Sequence, residues 1–255
     1  MTNLEWDHTV HCVNNLDNAI NNLKIHGLHA SIGGSHTQWG TNNALCYFGL
    51  TYLEFLGVEN RDIADKAELS VVFVKDAVSL LPYHEILSRI AIRTDDIEET
   101  AEAVRSHGLN LSPIIEGERL DQQGNLIQWR MLTIAGDFEG LAYPFFIQWK
   151  NNDEERTQHL SAAGLLEQHP AGNTTVHSAV FSVENPSAVA AHWQAIFGLS
   201  IRESDRDSWT VAIGDKLFIF QKGSSNRMEK INFMTESKEL KGKTITIGEG
   251  QYVFS

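Results

Sequence analysis

Residues 16–28 read LDNAINNLKIHGL and residues 97–109 read IEETAEAVRSHGL. At this offset of 81 positions Leu16 meets Ile97, Asp17 meets Glu98, Leu23 meets Val104, and His26-Gly27-Leu28 meets His107-Gly108-Leu109. Each stretch reads as an amphipathic helix stopped by a glycine, the residue that takes positive φ beyond a last turn without strain. A third such helix, 186–197, ends in Phe197-Gly198-Leu199. Working outward, a β-like segment precedes each helix at 6–13, 87–94 and 175–183. Apolar, aromatic-rich segments follow at 44–48 and 52–56, at 126–133 and 143–149, and at 209–213 and 216–221. The repeating unit is βαβββ, which makes repetition the architecture of the chain. A shortened fourth copy is read as a strand at 230–234, a stunted helix at 235–240 and strands at 244–247 and 251–254. Residues 151–173 are polar and lack strand alternation, so they read as a linker with a short helical turn. The expected division is 4–150, the linker 151–173, and 174–255.

Composition narrows the function classes. The 255 residues are 42% hydrophobic and 21% charged, the balance of an ordinary globular protein, and the repeated strand–helix–strand unit makes its expected class α+β. A formal net charge of −13 opposes non-specific binding to nucleic acid and to anionic lipid. Cys12 and Cys46 are too few for a disulfide framework and have no zinc-type spacing. The first residues lack the charge and apolar run of a signal peptide, and no stretch approaches the roughly 20 apolar residues of a membrane span. A soluble, cytoplasmic protein acting on a small molecule is the expectation.

Three stretches carry candidate chemistry. In Asp7-His8-Thr9-Val10-His11-Cys12-Val13, alternation puts His8, Val10 and Cys12 on one face and His11 on the other. Glu54, inside Tyr52-Leu53-Glu54-Phe55-Leu56, is a carboxylate in an apolar strand, which is costly to bury without a metal, a cation or hydrogen bonds. If those strands are neighbours, His8 and Glu54 face one cavity and suit a divalent ion; the plainer alternative is a capping histidine and a half-exposed glutamate. Second, residues 33–44, with paired glycines, His36, Trp39 and Asn42, read as a loop able to wrap a small ligand, or else as a plain hairpin connection. Third, Tyr143-Pro144-Phe145-Phe146-Ile147-Gln148-Trp149 places Gln148 near the end of an aromatic strand, where it serves as an oxygen ligand or satisfies neighbouring backbone. No nucleophile elbow, phosphate-binding glycine loop, dinucleotide fingerprint or His-Glu-x-x-His motif is present.

Taken together, Asp7-His8-Thr9-Val10, Gly33-Gly34-Ser35-His36, Trp39-Gly40-Thr41-Asn42-Asn43-Ala44, Tyr52-Leu53-Glu54, Trp129-Arg130 and Pro144-Phe145-Phe146-Ile147-Gln148-Trp149 resemble the glyoxalase-like domain proteins of the vicinal oxygen chelate superfamily. That superfamily includes glyoxalases, extradiol dioxygenases and methylmalonyl-CoA epimerase. The resemblance implies paired βαβββ modules forming curled mixed sheets around a cleft, with a degenerate second module pair at the C-terminus and pairing between chains as a homodimer. It also implies a divalent metal (Zn, Mn, Ni or Fe) held by one residue from the first and one from the last strand of each unit. Carried over, these are His8, Glu54 and Gln148, while Ser88 or Arg89 falls at the remaining position. His177 matches a first-strand ligand of the second pair, with Ile219 opposite Glu54. Glu54 is then the candidate base and His36 the acid–base group or pocket closure, with Arg89, Trp39, Asn42 and Trp149 against the substrate. The expected activity is that of a metal-dependent lyase, isomerase or dioxygenase on a substrate with adjacent oxygens. The alternative is a metal-free protein that sequesters a small anionic or aromatic ligand.

Overall fold

The computed structural model describes residues 3–121 and 123–255. The first half contains β1 (Leu4–Cys12), α1 (Leu16–Ile25), β2 (Ser31–His36), β3 (Thr41–Phe48), β4 (Thr51–Val58), α2 (Arg61–Ala64) and α3 (Val72–Leu80). It continues with β5 (Leu87–Thr94), α4 (Ile97–Arg105), β6 (Ile115–Leu120), β7 (Leu126–Thr133), a ribbon of β8 (Asp137–Phe138) and β9 (Leu141–Ala142), and β10 (Phe145–Trp149). After α5 (Asp153–Ala162) come β11 (Thr174–Val183), α6 (Pro186–Phe197), β12 (Ser200–Ser204), β13 (Ser208–Ile213), β14 (Lys216–Lys222), β15 (Arg227–Thr235), β16 (Thr244–Ile247) and β17 (Gly250–Phe254). The repeated helices stand where the repeat places them, and for a local reason. The side chains of Asn15 and Asp96 accept from the backbone N–H groups of Asn18 and Glu99, and Gly27 and Gly108 take φ of 73° and 78° beyond the last turns.

An eight-stranded sheet orders β2-β3-β4-β1-β5-β10-β7-β6, and a seven-stranded sheet orders β12-β13-β14-β11-β15-β17-β16. In both, the first strands of two units lie antiparallel at the centre and each pairs in parallel with the last strand of its own unit. One core joins the two sheets. Trp6 packs on Phe218, Phe48 on Phe233 and Phe146 on Phe197, with ring centroids 5.3, 4.7 and 5.8 Å apart. The helices α1, α4 and α6 bury their apolar faces in the same core.

The other face of the first sheet forms the cleft. Its ladder skips a residue between Trp6 and His8, so this bulge sends Trp6 into the shared core while His8, Val10 and Cys12 face the cleft. Two segments without a strand pattern close that cleft. The helix α3 packs Phe73, Val74 and Ala77 against Val10, Cys12 and Leu56. Beyond α5, Leu165 and Leu166 join Leu160 against Leu45, Tyr47 and Tyr52. Residues 33–44 take the hairpin alternative and not the ligand-wrapping loop: they form most of β2 and the start of β3, joined by a tight turn at 37–40.

Candidate functional site

Between α3, the sheet and Trp149 lies a cavity of about 30 Å³, lined by His8, His36, Asn43, Tyr52, Glu54, Arg119 and an apolar wall including Phe73, Trp129, Phe145 and Ile147. That volume holds about two waters. A hydrogen-bonded chain crosses its floor. Asp7 Oδ1 accepts from His8 Nδ1 at 2.7 Å, His8 Nε2 faces Glu54 Oε2 at 3.4 Å, and Asn43 Nδ2 donates to Glu54 Oε1 at 2.6 Å. His8 stacks on Tyr52 with ring centroids 4.7 Å apart, which fixes the plane of the imidazole.

Burial by itself lowers the His8 pKa, but its hydrogen bonds to Asp7 and Glu54 outweigh that and raise it to about 9. Burial raises Glu54, and the hydrogen bond and charge of His8 reverse the effect and bring it to about 2. Asp7 is fully buried. Burial would raise its pKa, yet Arg156, His8 and Arg93 hold it well below the ordinary carboxylate range. At neutral pH the floor is therefore an imidazolium between two carboxylates. His36 differs: burial lowers it to about 4, so it is neutral, with Nδ1 3.1 Å from Thr41 Oγ1.

Asp7 is held from outside the unit that contains it. Arg93 reaches its Oδ2 at 3.2 Å, Arg156 of α5 at 3.3 Å, and Trp149 Nε1 donates to it at 2.9 Å. Arg156 also lies over the Trp149 ring, 4.4 Å from its centroid. The polar segment read as a linker thus supplies a buried cation to the base of the site.

Some of the expected residues meet here and others do not. His8, Glu54, His36 and Trp149 line the cavity. Trp39 packs behind it, with its ring centroid 5.9 Å from His36 and 5.4 Å from Phe73. Asn43, not Asn42, reaches Glu54, because neighbouring strand residues point to opposite faces. Arg89 is turned away: it forms an ion pair with Asp76 of α3 and donates to the Tyr143 carbonyl at 2.6 Å. Gln148, by contrast, lies on the far face, where its Oε1 accepts from Arg130 and from Ile97 N–H and its Nε2 donates to the Asp95 carbonyl.

The register explains the Gln148 error. His8 pairs with Ala91 and Val10 with Arg89, so the 81-residue repeat carries His8 onto Arg89 and Val10 onto Ala91. Glu54 sits beside Val10, and Phe145 sits beside Ala91. The mate of Glu54 is therefore Phe145, three residues before Gln148. In the second sheet the skipped residue is His177, so Ser178 takes the place of His8, while Ile219 beside Val180 takes that of Glu54.

These positions decide how the donors suit a metal. Two of the four family positions carry ligands, His8 and Glu54; the other two carry a cation and a hydrocarbon ring. Among the described residues no three His, Cys, Asp or Glu side chains gather to hold an ion. The residues do not fit the four-ligand centre. Arg119 went unnoticed in the sequence, since nothing in the alternation of 115–120 marks it as facing a cleft. In the structure it is buried and lines the cavity.

Paired βαβββ units curled about a cleft define the vicinal oxygen chelate superfamily. The model of the glyoxalase-like domain matches residues 6–197, more than half of the chain, and the chain belongs to that family. Of the solved structures, a hypothetical protein from Staphylococcus aureus is 23% identical, with 99% of each chain covered and a TM-score of 0.86. The Mn(II)-bound glyoxalase from Novosphingobium aromaticivorans is 10% identical, over 100% of this chain and 82% of that one, with a TM-score of 0.56. A mutant 4-hydroxymandelate synthase from Streptomyces coelicolor is 10% identical, over 93% and 72%, with a TM-score of 0.55. These likenesses show the fold. No curated protein matches the sequence.

Proposed function

We propose that the protein is an enzyme of small hydroxy-carbonyl compounds whose chemistry is proton transfer by His8 and Glu54, without a step through a resident metal. The observation that carries this reading is the Asp7–His8–Glu54–Asn43 chain on the floor of a partly open, aromatic-lined cavity. The 3.4 Å gap between His8 Nε2 and Glu54 is long for a charge-assisted hydrogen bond, so a substrate oxygen competes readily for the Nε2 proton. Once that proton turns to the substrate, Glu54 loses the partner that held its pKa down. Burial then makes it a stronger base for the proton on the carbon next to the oxygen that His8 now holds. Asp7, locked by Arg93, Arg156 and Trp149, keeps the His8 proton on Nδ1 and leaves Nε2 for the substrate. Each proton has a place to go: carbon to Glu54, and His8 to oxygen.

The test is deuterium incorporation from heavy water into the CH₂OH group of dihydroxyacetone and of hydroxypyruvate, followed by NMR against an enzyme-free control. Wild type should exchange at least one of them after exhaustive chelation, and Glu54→Gln should lose about a hundredfold or more of the rate. Exchange that persists in a folded Glu54→Gln overturns the reading. The metal-free sequestration alternative gives binding with no exchange in either protein.

A further inference from the structure

Each buried guanidinium of the first half but one has an acidic partner. Arg93 meets Glu5, Asp7 and Asp153; Arg156 meets Asp7 and Asp153; Arg89 meets Asp76. Arg119 does not. It is 9% exposed, and its Nη1 donates to the Gly33 carbonyl at 2.6 Å. Among the described residues no carboxylate lies within ion-pair distance of it. It lines the same cavity as Glu54, but that carboxylate is already committed to His8 and Asn43. Asp121 feels its charge only from beyond contact distance; a buried cation with no carboxylate in contact is costly, and a guanidinium offers a fork of donors matched to a carboxylate.

We infer that Arg119 is a specificity-determining residue, the anchor for a carboxylate on the substrate, so that the site takes short carboxylic acids with an oxygen on the adjacent carbon. The placement of that second oxygen rests on the proton-transfer reading of His8 and Glu54. Phe73, Trp129 and Met131 wall the cavity about Arg119 and His8, and its small volume restricts the class to the shortest carbon chains, with the remainder of the molecule in the open side of the pocket. Neutral His36 adds no competing charge beside the guanidinium.

Hydroxypyruvate and dihydroxyacetone share a CH₂OH–CO group and differ in carrying a carboxylate or a second CH₂OH, so the pair isolates the anion. Their binding to the full chain is measured by titration calorimetry and their exchange by NMR, in wild type, Arg119→Gln and Arg119→Lys. Wild type should bind hydroxypyruvate about thirtyfold more tightly than dihydroxyacetone, the order of effect found when one partner of a buried charge pair is removed. Arg119→Gln should abolish that preference and leave dihydroxyacetone unchanged, while Arg119→Lys keeps part of it. Equal binding of the two compounds by wild type overturns the inference even if the variants misfold. The two proposals fail separately. Exchange of both compounds with no preference removes the carboxylate anchor alone, whereas an Arg119-dependent preference with no exchange removes the proton-transfer reading alone.

Discussion

Glu54 is a carboxylate that burial alone would neutralise, and the imidazolium of His8 keeps it ionised. The consequence is a pH dependence with two limbs. Because the folded state keeps the His8 proton up to about pH 9, stability from this group is complete below the ordinary histidine value of about 6.5 and is lost as pH rises from there through 9. His11 and His36, lowered to about 4, act oppositely: the unfolded chain takes up their protons first, so stability falls as pH drops below about 6.5. Glu54 adds to that acid limb below its ordinary value of 4.5. The melting temperature should therefore peak near pH 6.5 and decline on both sides, with the alkaline limb flattened in His8→Gln. A profile still rising from pH 7 to 9 would contradict the charged state assigned to His8. Gln148→Leu should leave exchange unchanged and cost about 1 kcal/mol in denaturant unfolding, because it loses hydrogen bonds on the far face only. At this scale the sequence made His8 and Glu54 legible, since a polar residue in an apolar strand is itself a signal. Asn43 and Phe145 were not, because counting from a strand's visible end misplaces the register by one or three residues, and even a one-residue slip reverses the face.

Among the elements, the informative surprise is α5. Its capping box at Asn152 and Glu155 starts a helix in a segment with no apolar periodicity, and Arg156 carries it to Asp7. Removing the charge takes a buried counter-ion from two arginines and a histidine at once, leaving Arg93 with Glu5 and Asp153 and Arg156 with Asp153 at the surface. Asp7→Asn should thus cost about 3–5 kcal/mol, read as a shifted urea midpoint. A change within a few tenths of a kcal/mol would show that the network is not what fastens α5. A second element-scale expectation concerns β6. A Cβ at Gly117 would fall 2.4 Å from Trp129 Nε1, so Gly117→Ala must move an indole that walls the cavity. Tryptophan fluorescence and exchange should both change, and an unaltered spectrum would refute that contact. The three repeated helices were readable from their recurrence, apolar spacing and terminal glycines. Of the helices that close the cleft, α3 was not, because it lacks a side-chain cap, and α5 was legible only as a short helical turn, because it is polar almost all round.

Across the whole molecule, the first module pair keeps half of a chelating site and the second keeps none, since Ser178 and Ile219 stand where His8 and Glu54 stand in the first. The second pair instead contributes core. Tyr252 reaches His11 at 2.5 Å and packs beside Phe55, and the two sheets share their aromatic interior. A single cooperative unfolding transition is expected, identical by tryptophan fluorescence and far-UV circular dichroism; two resolved transitions would contradict a common core. The repeat announced this architecture because it recurs in sequence, whereas the back-to-back packing of the sheets leaves no local pattern to read. The most direct test of the account is deuterium exchange into dihydroxyacetone and hydroxypyruvate by chelated wild type beside Glu54→Gln, with metal content measured on the same samples. Exchange by the chelated enzyme, lost in a folded Glu54→Gln, is the expected result. Exchange that appears only with a stoichiometric divalent ion, or that survives the loss of Glu54, would contradict it.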